Sequence, residues 1–139
     1  MREEIKSLLR AGGHCVMATA AGNQPYCSLM AYIVNGDCTR IFMVTLRNTR
    51  KYQNLIENPL VSLLMDTRDQ KEPQALTIEG EIKELGREHE KKQIKNALIC
   101  RHPQLKSLLN SPDAAILKVR IKSVVFLKGL TDVLRQQIE

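Results

Sequence analysis

Residues Arg40–Asp66, RIFMVTLRNTRKYQNLIENPLVSLLMD, decide how the rest of the chain is arranged. The apolar run Ile41 to Leu46 has the length of a strand. A polar turn follows, then a helix from near Thr49, an Asn58-Pro59 stop, and a second strand from Leu60 to Asp66. Thr49 suits a helix N-cap, because its hydroxyl accepts a hydrogen bond from an unpaired N–H of the first turn. The next residues are Arg50 and Lys51, with Arg47 just upstream, so cations face the positive end of the helix dipole. From charge alone two readings fit equally. One is a solvated helix start with snorkelling side chains; the other is an anion held by free N–H groups, a hydroxyl and cationic side chains.

Upstream, Arg2 to Ala11 reads as an amphipathic helix with Ile5, Leu8 and Leu9 on one face, ended by Gly12-Gly13. Its acids come first and its bases last, as the dipole prefers, which makes the reversal at Arg50-Lys51 more informative. His14 to Ala20 and Tyr26 to Val34 read as strands joined by the turn residues AGNQP. Asn35-Gly36 then predicts a tight type I′ hairpin, completing a three-stranded antiparallel meander up to Leu46. In the helix after Thr49, Tyr52, Leu55 and Ile56 share the face that lies against the sheet.

Downstream, TRDQKEPQ is a surface loop. Ala75 to Lys83 alternates, with Leu76, Ile78 and Ile82 inward; Gly80 holds an inward position where a bulge or sharp coil is permitted. Glu88 to Arg101 is a helix with Ile94, Ala97 and Leu98 inward, stopped before Pro103. Ala114 to Lys128 is the last and longest strand. Its Lys118, Arg120 and Lys122 form a stripe that reads as solvation plus edge protection. Val124 to Leu127 is apolar on both faces, which calls for cover from a helix or a second subunit. The count is six strands, five of them in the antiparallel style, in a mainly β, α+β chain that closes most easily as a small barrel with flanking helices.

With 139 residues and 43% hydrophobic content the chain makes one domain, residues 1–139, whose core needs no metal or disulfide. Cys15, Cys27, Cys38 and Cys100 form no C-x-x-C pair and read as reduced, mostly buried thiols. Cys100-x-His102 supplies two ligands where a structural zinc site needs four, so no metal is expected. No run approaches a membrane span and MREEIKSLLRAGG lacks a signal-peptide centre, so the expected setting is cytoplasmic. The net charge of +6 allows an acidic ligand or nucleic acid. The aromatics do not alternate with basic residues as a base-stacking strand would. There is no G-x-S-x-G, H-E-x-x-H, Walker loop or Rossmann fingerprint. His14, His89 and His102 are dispersed, and no catalytic side chain is assigned; reactivity, if present, belongs to a bound cofactor.

The order of elements, with TRKYQNLIENPLVSLLM and LTIEGEIKEL, resembles the pyridoxamine 5′-phosphate oxidase-like, FMN-binding split-barrel family over nearly the whole chain. The resemblance implies a six-stranded antiparallel split β-barrel, a flavin-dependent oxidoreductase of unidentified substrate, and a homodimer with FMN near the subunit interface. It implies that Lys51 and Arg50 pair with the flavin phosphate and that Thr49 donates to it. Thr45, Ser28 and the Leu29 and Met30 backbone would line the flavin, with Thr77 on a flanking strand. Arg47 is added on its charge alone. The chain ends LKGLTDVLRQQIE, without the family's Arg-Leu-x-Pro-like substrate segment, and has Ala75 beside Gln74 where a flavin-strand glutamine is expected. These departures argue against the pyridoxamine phosphate oxidase reaction itself. Two alternatives stand: the same barrel binding deazaflavin or haem, and a non-enzymatic basic module for nucleic acid.

Overall fold

A computed structural model describes residues 1–129 and 131–139. The helices are α1 (Glu3–Gly12), α2 (Arg50–Glu57), α3 (Glu88–Arg101) and, after a 3-10 turn at Pro103–Leu105, the single turn α4 (Lys106–Leu109). The strands are β1 (His14–Ala21), β2 (Gln24–Ala31), β3 (Ile33–Val34), β4 (Arg40–Leu46), β5 (Leu60–Asp66), β6 (Gln74–Glu84), β7 (Ala114–Lys128) and β8 (Asp132–Gln137). They form one antiparallel sheet in the order β2-β1-β5-β6-β7-β4-β3, with β8 on β7, curled into a split barrel.

Sequence periodicity misplaces the second strand. Tyr26–Val34 is not continuous: it breaks at Tyr32, whose ring is buried and whose hydroxyl donates to the Leu9 carbonyl at 2.6 Å. The half before the break pairs with β1 and the half after it with β4, so there is no three-stranded meander. The type I′ geometry also lies elsewhere. Gly22 and Asn23, between β1 and β2, both have positive φ, 56° and 63°. At Asn35 the chain reverses in a longer loop, because the Asn35 Oδ1 accepts from the N–H groups of Thr39 and Arg40 at 2.9 and 2.8 Å. Cys38, with φ 59°, takes the left-handed position there.

The main core fills the barrel with Met17, Ile41, Met43, Leu63, Leu76, Ile78, Leu117 and Ile121, and α1 adds Ile5 and Leu9. A second core lies on the outer side of β4 and β7, where Phe42, Val44 and Ile116 meet Leu98 and Leu109 of α3 and α4. Two helix faces differ from the periodic reading. Ile56 is 65% exposed while Asn54 is buried, donating to the Thr19 hydroxyl at 3.1 Å; Ala97 of α3 is also exposed. Thiols divide evenly: Cys15 and Cys38 are buried, Cys27 and Cys100 exposed, and none is paired. Burial pushes the Cys15 thiol up to about 12, which makes it inert.

Gly80 does mark a bulge. Glu79 faces Ser123 while Gly80 faces Ile121, so Lys122 is the extra residue on β7. The freed Lys122 carbonyl accepts from the N–H of Ile138 at 2.8 Å and of Glu139 at 3.0 Å. DVLRQQ is short and has few apolar residues, so its periodicity predicts no strand, and its pairing with β7 makes it one, beyond the six expected. No described helix is long and apolar enough to cross a membrane.

Candidate functional site

The break at Tyr32 leaves a seam. Among the described residues β2 pairs only with β1, and beyond Ile41–Phe42 the edge of β4 that β3 occupies is open. Unpaired strand edges present N–H and C=O groups that need partners, so such a seam accepts ligands readily. Here a cleft of about 190 Å³ runs between Leu29, Met30 and Ala31 of β2 and Val44, Thr45 and Leu46 of β4. Thr49 and Lys51 close it at the start of α2, and Leu105 and Leu108 at the other side.

The α2 start is built as the sequence suggests. Thr49 has extended geometry (φ −96°, ψ 155°) and its Oγ1 accepts from the Tyr52 N–H at 3.4 Å. The same hydroxyl donates to the Leu46 carbonyl at 2.8 Å and lies 3.2 Å from the Thr45 hydroxyl. Since the single Thr49 proton goes to Leu46, Thr45 is the donor of that hydroxyl pair. Thr49 therefore works as a cap, and an anion at this turn would meet the N–H groups of Arg50 and Lys51, which have no acceptor among the described residues. Lys51 has no salt-bridge partner among them either.

The remaining candidates divide. Arg50 lies over the Tyr26 ring, 4.7 Å from its centroid, on the side of α2 that faces β2. Ser28 is on the inner face of β2, opposite Met17, and its buried Oγ has no hydrogen-bond partner among the described residues. Arg47 turns away from the cleft: it forms a short ion pair with Glu84 and donates to the Pro112 carbonyl at 3.4 Å. Tyr52 completes that tie, donating to the other Glu84 oxygen at 2.6 Å. Partial burial works to raise the Glu84 carboxyl, but the Tyr52 and Arg47 hydrogen bonds and the Arg47 charge outweigh it and hold the group below its ordinary range. Thr77 is on the outer face of the sheet, between Leu64 and Val125. Sequence reading missed Ala31, Val44, Leu46, Leu105 and Leu108 as cleft walls, for apolar residues carry no signal of lining a seam rather than a core.

None of the histidines lines the cleft. His102 is buried at the end of α3, its Nε2 2.9 Å from the Tyr32 carbonyl oxygen, with the exposed His14 edge-on at 5.2 Å. His89 is exposed on α3. No cluster of three metal-ligating side chains occurs among the described residues.

This fold, with a seam between strand edges and a polar helix start beside it, is that of a split barrel. The chain belongs to the pyridoxamine 5′-phosphate oxidase family, whose profile matches residues 1–128. No curated protein sequence matches it significantly. Among solved structures it is similar to the General Stress Protein 26 from Bacillus anthracis str. Sterne, at TM-score 0.76 and 18% identity, covering 96% of this chain and 97% of that one. A FAD-binding protein from Mesorhizobium loti is similar at TM-score 0.75 and 16% identity, covering 91% and 94%. A heme binding protein from Mycobacterium smegmatis reaches TM-score 0.85 at 15% identity, covering 97% of this chain and 57% of that one. This chain thus spans little more than half the length of that heme binding protein, and at such identities the likeness is one of fold.

Proposed function

We propose that the seam binds FMN and that the protein is a flavin-dependent oxidoreductase of unidentified substrate. The observation that carries this reading is the convergence of Thr45, Thr49, Lys51, Leu29 and Met30 on one cleft between two open strand edges. Lys51 and the N–H groups of Arg50 and Lys51 would bind the phosphate, with the Arg50 charge adding to the field. The Ser28 and Thr45 hydroxyls and the Leu29 and Met30 backbone would line the ring end. A bound flavin would supply hydride or single-electron chemistry, with no acid or base required of this chain. Arg47, committed to Glu84, is left out of the phosphate set.

The site is completed, in this reading, by a second copy of the chain. The cleft of about 190 Å³ is smaller than the roughly 300–1,000 Å³ of a pocket that encloses a ligand of flavin size. Leu29 belongs both to the cleft and to the sheet's open outer face, where Thr77 also lies. In a homodimer built on that face, Thr77 would approach the cofactor of the other subunit.

Titration with FMN, followed by quenching of flavin fluorescence, tests the site. Arg50→Ala with Lys51→Ala removes the Lys51 charge-assisted contact and the neighbouring Arg50 charge and should weaken binding about 10-fold or more, at ~1.5 kcal/mol for the contact. Equal affinity in the double variant would remove the assignment. Haem is the second reading, favoured by the named ligand of the M. smegmatis neighbour. It lacks a histidine at the seam, and a Soret band on haem addition, with no response to FMN, would place it first. Deazaflavin would show itself by its own fluorescence.

A further inference from the structure

The basic stripe of the longest strand does not protect an edge. β7 is a central strand, paired with β6 along one side and with β4 and then β8 along the other. Edge protection therefore cannot explain Lys118 and Arg120. Both project from the outer side of the barrel into a cleft of about 300 Å³ lined by Arg40, Glu81, Lys83, Lys118 and Arg120, every one of them ionisable.

Register makes the cluster costly. Arg40 stands opposite Arg120, and Lys83 opposite Lys118, each a like-charge pair across neighbouring strands. Such pairs destabilise a sheet. For the arginines the cost is offset by carboxylates: Arg120 reaches Glu139 at 2.6 Å and Glu81 at 3.3 Å, and Arg40 lies 3.6 Å from Glu139. Neither lysine has a salt-bridge partner among the described residues. Four cations are thus set against two carboxylates, with the uncompensated charge on Lys83 and Lys118 and the arginines held in place beside them.

We propose that this cleft binds a compact phosphate dianion, the phosphomonoester or pyrophosphate group of a small molecule, between Lys83 and Lys118. A doubly charged group would neutralise the two free lysines, and the fixed guanidinium groups would give it directed donors. Nucleic acid fits less well: its backbone needs a track of cations, whereas Glu81 and Glu139 interrupt this one. The cleft is separate from the seam. Arg40 begins β4 and Thr45 lies five residues on, about 17 Å along the strand.

The test is calorimetric titration of the purified protein with inorganic pyrophosphate at fixed ionic strength. Saturable binding is expected, weakened about tenfold or more by Lys83→Gln with Lys118→Gln. The same variant should unfold at an equal or higher urea concentration without ligand, since a repulsive pair is gone, and should bind FMN as the parent does. Lys51→Ala should leave the pyrophosphate affinity of this cleft intact. Absence of binding, equal affinity in the double variant, or loss through Lys51→Ala alone would overturn the proposal. So would a single-stranded oligonucleotide that binds more tightly than pyrophosphate and is lost in the same double variant.

Discussion

At Gly80 a side chain has no room. A Cβ there would lie 2.7 Å from the Arg120 carbonyl oxygen and 2.7 Å from Val119 Cγ1, and a backbone oxygen cannot swing aside as a flexible side chain would. The close approach follows from the bulge, in which β6 and β7 draw together beside the extra residue Lys122. Gly80→Ala should cost about 1–3 kcal/mol, the range for overpacking a filled interior, read as a lower urea midpoint. An unchanged midpoint would mean that the bulge is looser than its contacts indicate. That inward glycine in an otherwise alternating strand was legible in sequence. The role of Thr49 was legible only in part. Its place as N-cap could be read from residue type, whereas the loss of its proton to Leu46 depends on where the end of β4 leaves that carbonyl.

At the scale of elements, Glu84 ties three pieces of chain: it ends β6, takes Tyr52 from α2, and takes Arg47 from the turn between β4 and α2. Its carboxyl is held below the ordinary range, so its contribution to stability is present above the unfolded-state value and is lost as pH falls through the folded-state one. Glu84→Gln should lower stability near neutrality by about 0.5–1 kcal/mol, a modest figure because solvent screens the pair. It should also flatten the acid limb of the stability profile, measured by urea unfolding from neutral pH down through the carboxylate range. Parallel parent and variant curves would show that the tie carries no net energy. The sequence separation of 37 residues between Arg47 and Glu84 explains why Arg47 could be grouped with the phosphate cations but not excluded from them.

Across the whole molecule, the outer face of the sheet carries a row from Leu29 through Val16, Leu64 and Thr77 to Val125. Leu29 is 74% exposed, Leu64 37% and Val133 50%, a concentration of apolar surface that favours a partner. The two-faced apolar end of β7 is explained only on one side: Val124 and Phe126 are buried in the barrel, while Val125 and Leu127 stay half-buried on the outer face. A homodimer on this face should appear in sedimentation velocity, since a stable interface needs about 800 Å² from each partner. Leu64→Arg should shift it to monomer and weaken FMN binding. A monomeric variant with undiminished FMN affinity would show that one chain holds the cofactor unaided.

By itself the sequence determined the elements whose patterns are local: the N-terminal helix with its Gly13 stop, the strand–turn–helix–strand run from Arg40 to Asp66, the alternation of β6, and the Thr49 cap with cations beside it. Period and capping depend on residues a few positions apart, so they survive without tertiary context. Tertiary structure decided the rest. It buried Tyr32 and so split one predicted strand into β2 and β3; it gave β8 a partner; and it set β7 in the middle of the sheet rather than at its edge. Each outcome rests on contacts between residues far apart in the chain, and those contacts both open the seam beside Lys51 and bring Lys83 against Lys118.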